Sequence, residues 1–163
     1  MKIRDAAPED APAACEVMRR SIAQLCSADH HNEPVVLGRW LGKKTPEIFR
    51  SWIRPDNALL VAVEDSQILA VGCVNGTGEI TLNYVPPDAR FRGVSSALLE
   101  VLERRAMERG HQRCSLTSTE TARRFYLARG YAEDGPADGK FGMTSGYPMS
   151  KRLRAADLPR TDK

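Results

Sequence analysis

The sequence predicts a mixed α/β (α+β) domain on a largely antiparallel sheet of about seven strands. Three observations carry this. Residues 11–25 and 94–106 repeat apolar side chains at helical spacing. Between them, residues 58–85 change to three apolar runs of strand character, separated by turn signals. After Gly110 a strand, a helix and two more strand candidates follow. The expected order is β-α-α-β-β-β-α-β-α-β-β.

Lys2 to Ala6 is a short first strand. In the first helix Ala11, Ala14, Cys15, Met18, Ile22 and Leu25 make one apolar stripe, and Pro8 and Pro12 sit where a first turn tolerates proline. Ser27 to Pro34 is polar and reads as a loop, and Val36 to Leu41 as a short amphipathic turn or two. Thr45-Pro46-Glu47 starts a helix with Thr45 as cap, whose buried face is Ile48, Phe49, Trp52 and Ile53. Strands over Ala58–Glu64 and Gln67–Asn75 meet at Asp65-Ser66. Asn75-Gly76 reads as a hairpin whose two turn residues tolerate positive φ. Glu79 to Val85 is the next strand. A long helix opens after Gly93 and stops at Gly110. Arg113–Thr117 is a strand, Thr119–Arg129 a helix stopped by Gly130, and Tyr131-Ala132 and Tyr147–Leu153 the last strands around a Gly/Asp loop.

A chain of 163 residues is long enough for one domain and a core without staples. The domain is expected over 1–153, with a short basic tail over 154–163. No run approaches the ~20 apolar residues of a membrane span, and Met1 to Asp5 has no apolar leader. Four scattered cysteines without a C-x-x-C pair read as reduced core thiols. A cytoplasmic protein is expected. Net charge is +3, but unevenly spread: residues 1–89 carry −3 and residues 90–129 carry +5. A local basic stripe with 6% aromatics suits a small polyanionic ligand or a solvated face, and argues against nucleic acid.

The informative stretch runs from Tyr84 to Leu99. A strand enters a short loop, and the loop opens a helix at Gly93. The first turn of a helix offers N–H groups and the positive end of the helix dipole. Gly93 admits an anion to the backbone, Ser95 and Ser96 add hydroxyls, and Arg90 and Arg92 add charge. This is either a pyrophosphate cradle or an ordinary basic helix start. No Gly-Lys-Ser/Thr makes it a P-loop, and the G-x-G at Gly76-Thr77-Gly78 lies in a hairpin.

Arg90-x-x-Gly93-x-Ser95 resembles the acetyl-coenzyme A signature of the GNAT superfamily of N-acetyltransferases. Thr119-x-x-Ala122-Arg123-Arg124-Phe125-Tyr126-x-x-x-Gly130-Tyr131 resembles a second segment of that family. Ser95 stands where the family usually has Gly or Ala, and Thr119 where it often has Asn. The resemblance implies a sheet splayed between the fourth and fifth strands, with pantetheine lying in the opening against the backbone near Val85. It implies a pyrophosphate on N–H groups from about Arg92 through Val94 to Ala97, and an acetyl carbonyl near Tyr84 and Val85. Thr119 and Ala122 would reach the pantetheine arm. The implied activity is acetyl transfer from acetyl-coenzyme A to a small-molecule or peptide amine. A non-catalytic coenzyme A-binding module on the same fold is the alternative.

Two residues are candidates for proton transfer. Glu79 starts the central strand, and strand period two places it on one face with Thr81 and Asn83. It is a base for the amine or an exposed strand-start carboxylate. Tyr126 lies inward on its helix as general acid for the departing thiolate, or as a core tyrosine. His30 and His31 lie between the N-terminal helices, which in this family often form the acceptor rim, and are substrate-binding candidates. Adjacent histidines lack helical ligand spacing, so Cys26-x-x-Asp29-His30-His31 is not expected to hold a metal. Sheet edges in this fold commonly pair, which allows a homodimer.

Overall fold

The computed structural model describes residues 1–137 and 146–154. Most of the expected Gly/Asp loop and of the basic tail lies outside the described residues. β1 (Lys2–Asp5) leads to α1 (Ala11–Leu25), the single turn α2 (Ser27–His30), α3 (Pro34–Leu41) and α4 (Pro46–Ser51). A meander of β2 (Ala58–Glu64), β3 (Gln67–Val74) and β4 (Glu79–Tyr84) follows. Then come α5 (Val94–Glu108), β5 (Arg113–Ser118), α6 (Arg123–Ala128), β6 (Ala132–Glu133) and β7 (Tyr147–Arg152). The sheet order is β1-β2-β3-β4-β5-β7-β6. Every neighbouring pair is antiparallel except β4 and β5. The expected fold class is the one observed.

Local chemistry explains where the elements begin and turn. Thr45 accepts from Ile48 N at 3.2 Å, so α4 has the cap its sequence announces. The segment expected as a loop over 27–34 instead holds α2, in which Asp29 and His30 are buried, Asp29 against Glu120 and Thr121 far along the chain and His30 on Ile22 O and Asn32 N. The left-handed hairpin pair is Asp65 (φ 50) and Ser66 (φ 64), not Asn75-Gly76. At the second turn Gly78 (φ 84) carries the positive φ, and the Asn75 side chain accepts from Thr77 N and Glu79 N.

The sheet is covered on both faces. α1 and α4 pack Met18 and Phe49 on Leu59, Val71 and Leu82. α5 packs Leu98 and Leu102 on Leu60 and Ala70. Gly72 permits this approach, since a Cβ there would stand 2.8 Å from Leu98 Cδ2. Each buried leucine contributes about 1.5–3 kcal/mol. Leu98, Leu99 and Leu102 therefore hold α5 firmly, and with it the first turn that faces the cleft.

β4 carries a bulge. Cys73 opposes Leu82, but Val74 opposes Ile80, which leaves Thr81 as the extra residue. The alternation reverses there. Ile80 joins the core under α5, whereas Leu82 and Tyr84 join the core under α1. The expected common face of Glu79, Thr81 and Asn83 is therefore corrected. Glu79 shares the α1 side with Leu82 and Tyr84, and Asn83 points the other way.

Candidate active site

The parallel pairing of β4 with β5 consists of Glu79↔Ser115 and Ile80↔Leu116. Beyond it the strands part, and a cleft of about 460 Å³ opens. Ile80 and Leu116 form its floor. Asn83, Tyr84 and Val85 line one side, and Thr117, Ser118 and Thr119 the other. The first turn of α5 closes one end, α6 contributes Phe125 and Tyr126, and α1 contributes Ser21 and Leu25.

One end of the cleft is built by Gly93. It caps α5 in the left-handed region, at φ 76 and ψ 5, a conformation that costs other residues dearly. A Cβ at Gly93 would meet nothing within 4 Å, so open space lies against the backbone where an anion would approach. Ala97 N donates to Gly93 O at 3.1 Å. Ala97 is thereby removed from the cradle, and the N–H groups of Val94, Ser95 and Ser96 remain as its candidate donors. Arg92 is corrected too: its guanidinium pairs with Glu64 at 2.8 Å, and its side chain does not line the cleft. Arg90 does line it, with its guanidinium 4.7 Å from the Phe91 ring centroid.

Arg129 takes up part of the charge expected of Arg92. Its Nε donates to Ser96 Oγ at 2.9 Å, its Nη1 to Phe125 O at 3.0 Å, and it stacks 3.8 Å from the Phe125 ring centroid. The cation is thus held at the first turn of α5. The spacing Phe125–Arg129 is one helical turn, and only contact with α5 shows where that turn points.

Tyr126 is seated by packing. Phe125 and Tyr131 stand edge-on to it at 5.1 and 5.5 Å between ring centroids. Burial pushes its hydroxyl up to about 12, while the Asn83 side chain beside it pulls the other way. Asn83 Oδ1 is itself buried without a partner among the described residues. Thr119 lines the cleft, and its hydroxyl accepts from Ala122 N at 3.1 Å. Thr119 therefore caps the turn before α6, which starts at Arg123, later than the sequence suggests. Ala122 also lines the cleft.

On the opposite wall Tyr84 lies against Trp40, and burial raises its hydroxyl. Burial also pushes the Cys26 thiol up to about 12, which keeps it protonated at neutral pH. Glu79 sits just below the floor, beside Ile80. It is exposed and lies 3.5 Å from Asn75 Nδ2.

Neither histidine lines the cleft. His30 is fully buried, with Nε2 donating to Ile22 O at 2.8 Å and Nδ1 accepting from Asn32 N at 2.9 Å. Both ring nitrogens are spent on the α1–α3 connection, so the substrate-binding expectation for His30 is overturned. His31 ends α2 at φ 53, exposed. The buried partner in this segment is Asp29, whose carboxylate accepts from Glu120 N at 2.6 Å and Thr121 Oγ1 at 2.7 Å. It ties the α1–α2 wall to the turn that starts α6, a link without local sequence signal.

The acetyltransferase (GNAT) domain model matches residues 26–153. Solved structures share the fold. A GCN5-related N-acetyltransferase from Rhodopseudomonas palustris is 24% identical at TM-score 0.82, over 93% of this chain and 95% of that one. An N-acetyltransferase (PaiA) from Thermoplasma acidophilum, solved with coenzyme A, is 22% identical at TM-score 0.79, over 93% and 98%. An aminoglycoside 6'-N-acetyltransferase from Enterococcus faecium is 15% identical at TM-score 0.69, over 99% and 100%. No curated protein sequence matches the chain significantly. With a family match over most of its length, a parted β4–β5 pair and a glycine-capped α5, the chain belongs to the GNAT acetyltransferase family.

Proposed function

We propose that this protein is an N-acetyltransferase that moves the acetyl group of acetyl-coenzyme A directly to an amine. The observation that carries the reading is the parted β4–β5 pair, with an anion-binding helix end at one side and the buried Tyr126 hydroxyl at the other. The β4 backbone beyond Ile80 has no partner strand on the β5 side among the described residues, which suits an extended chain bearing amides. The first turn of α5 with Arg90 and Arg129 suits a pyrophosphate.

In this reading the amine nitrogen attacks the thioester carbonyl, the C–N bond forms and the C–S bond breaks. Backbone N–H groups near Tyr84 and Val85 stabilise the oxyanion. Tyr126 gives its proton to the thiolate. Its raised affinity keeps that proton in place at neutral pH, and the same desolvation raises the proton affinity of a thiolate released beside it. Glu79 takes the amine proton through water, from the α1 side of the sheet and below the point where the strands part. Thiol release from acetyl-coenzyme A, measured across amino acids, polyamines, aminoglycosides and peptide N-termini, tests this. Turnover with at least one amine is expected. Tight binding without release for any amine contradicts it.

A further inference from the structure

A second concavity of about 640 Å³ runs along α1 toward the α3–α4 connection. Lys44 lines it and is only 9% exposed. Its Nζ stands 5.7 Å from the Trp52 ring centroid, and no carboxylate among the described residues pairs with it. A buried ammonium without a counter-ion is costly. Two chemistries relieve the cost: an anion can bind, or the amine can lose its charge.

The groove favours the second. Glu16 lies on its rim and opposes an anion. Its two arginines are engaged, Arg19 with Leu41 O at 2.8 Å and Arg20 with Asp88 at 3.1 Å. The nearby walls are apolar, formed by Pro12, Ala23, Leu41 and Pro46. Burial lowers the proton affinity of Lys44, and Lys43 lowers it further, against a smaller opposing effect of the Cys15 thiol from α1. Glu47 and Arg50 of α4 complete the charged groups around that thiol.

The structure assigns Lys44 as an acylation site on the protein itself, taking the acyl group of a thioester of the acetyl-coenzyme A class. The neutral Nζ attacks the thioester carbonyl carbon, a C–N bond forms and the C–S bond breaks. The amine proton leaves with sulfur as the thiol. The amide product carries no charge, so acylation removes the buried ammonium, and the acyl group meets the apolar wall. The assignment rests on the function proposed above only for its donor.

Peptide mass spectrometry after incubation of the full chain with acetyl-coenzyme A, and separately with trace acetic anhydride, tests it. At pH 7.5 Lys44 is expected to label at least tenfold faster than the exposed Lys2 and Lys43 with both reagents. That advantage should shrink as pH nears 10, where all amines lose their protons. Lys44 labelling no faster than Lys2 overturns the assignment. So does labelling by the anhydride but not by the thioester. Acetyl-coenzyme A binding in the β4–β5 cleft, measured by calorimetry on the same sample, reports the other reading separately.

Discussion

The Asp29 carboxylate accepts from both the backbone N–H and the hydroxyl of Thr121, across 92 residues of sequence. Thr121 Oγ1 also lies 3.2 Å from Leu25 O, so one buried carboxylate joins α1, α2 and the approach to α6. Asp29→Ala leaves the Glu120 and Thr121 backbone N–H groups without this acceptor, while the Thr121 hydroxyl keeps Leu25 O. Each buried unpaired group costs about 1–3 kcal/mol, so a loss of about 3 kcal/mol in urea unfolding is expected. An unchanged midpoint would show that the link carries no stability.

Gly93→Val forces a β-branched residue into the left-handed region and fills the open space over the first turn of α5. Acetyl-coenzyme A binding should weaken at least tenfold, about 1.4 kcal/mol, with the domain still folded by circular dichroism. Arg129→Met should weaken it by a similar factor and flatten its salt dependence. Unchanged dissociation constants in both variants by calorimetry would remove the pyrophosphate from this end of the cleft.

Glu79→Gln tests the base. A primary amine of pKa about 10.4 is only ~0.04% neutral at pH 7. The variant should lose about 10²–10⁴ in rate at neutral pH and recover as pH approaches that of the free amine. A constant defect across the profile, or none, leaves Glu79 as a strand-start carboxylate.

Lys44 has a consequence for stability. Its folded-state affinity for a proton lies below that of the free side chain, so the folded protein binds fewer protons than the unfolded chain in the window between the two values. Stability from this group therefore rises with pH through that window, and the penalty is fully present below it. Lys44→Met should raise stability at pH 7 by about 1 kcal/mol, the low end for a buried unpaired polar group. It should also flatten the alkaline rise. A loss of stability at pH 7 would contradict this.

Much of this was legible in residues. The strand–loop–glycine–helix run at 84–99 and the stripes of α1 and α5 follow local rules, and local rules fix which elements form. What failed was non-local. The Thr81 bulge is set by pairing with β3, and it turned Glu79 away from the face shared by period two. Asp29 and His30 look like a polar loop because their partners are distant or on the backbone. Arg92 and Arg129 look alike as basic residues. Only the position of Glu64 diverts the first and only the docking of α6 on α5 delivers the second.

The central claim is that Tyr126 supplies the proton that releases coenzyme A. Tyr126→Phe keeps the ring and its packing against Phe125 and Tyr131 and deletes the hydroxyl beside Asn83. Turnover and acetyl-coenzyme A affinity measured on this one variant test the claim most directly. Turnover should fall by about 10²-fold or more, with affinity nearly unchanged and stability altered by no more than ~1 kcal/mol. Loss of turnover with intact binding marks an interaction made in the transition state. Full turnover in the phenylalanine variant would contradict the account and leave Tyr126 a core residue.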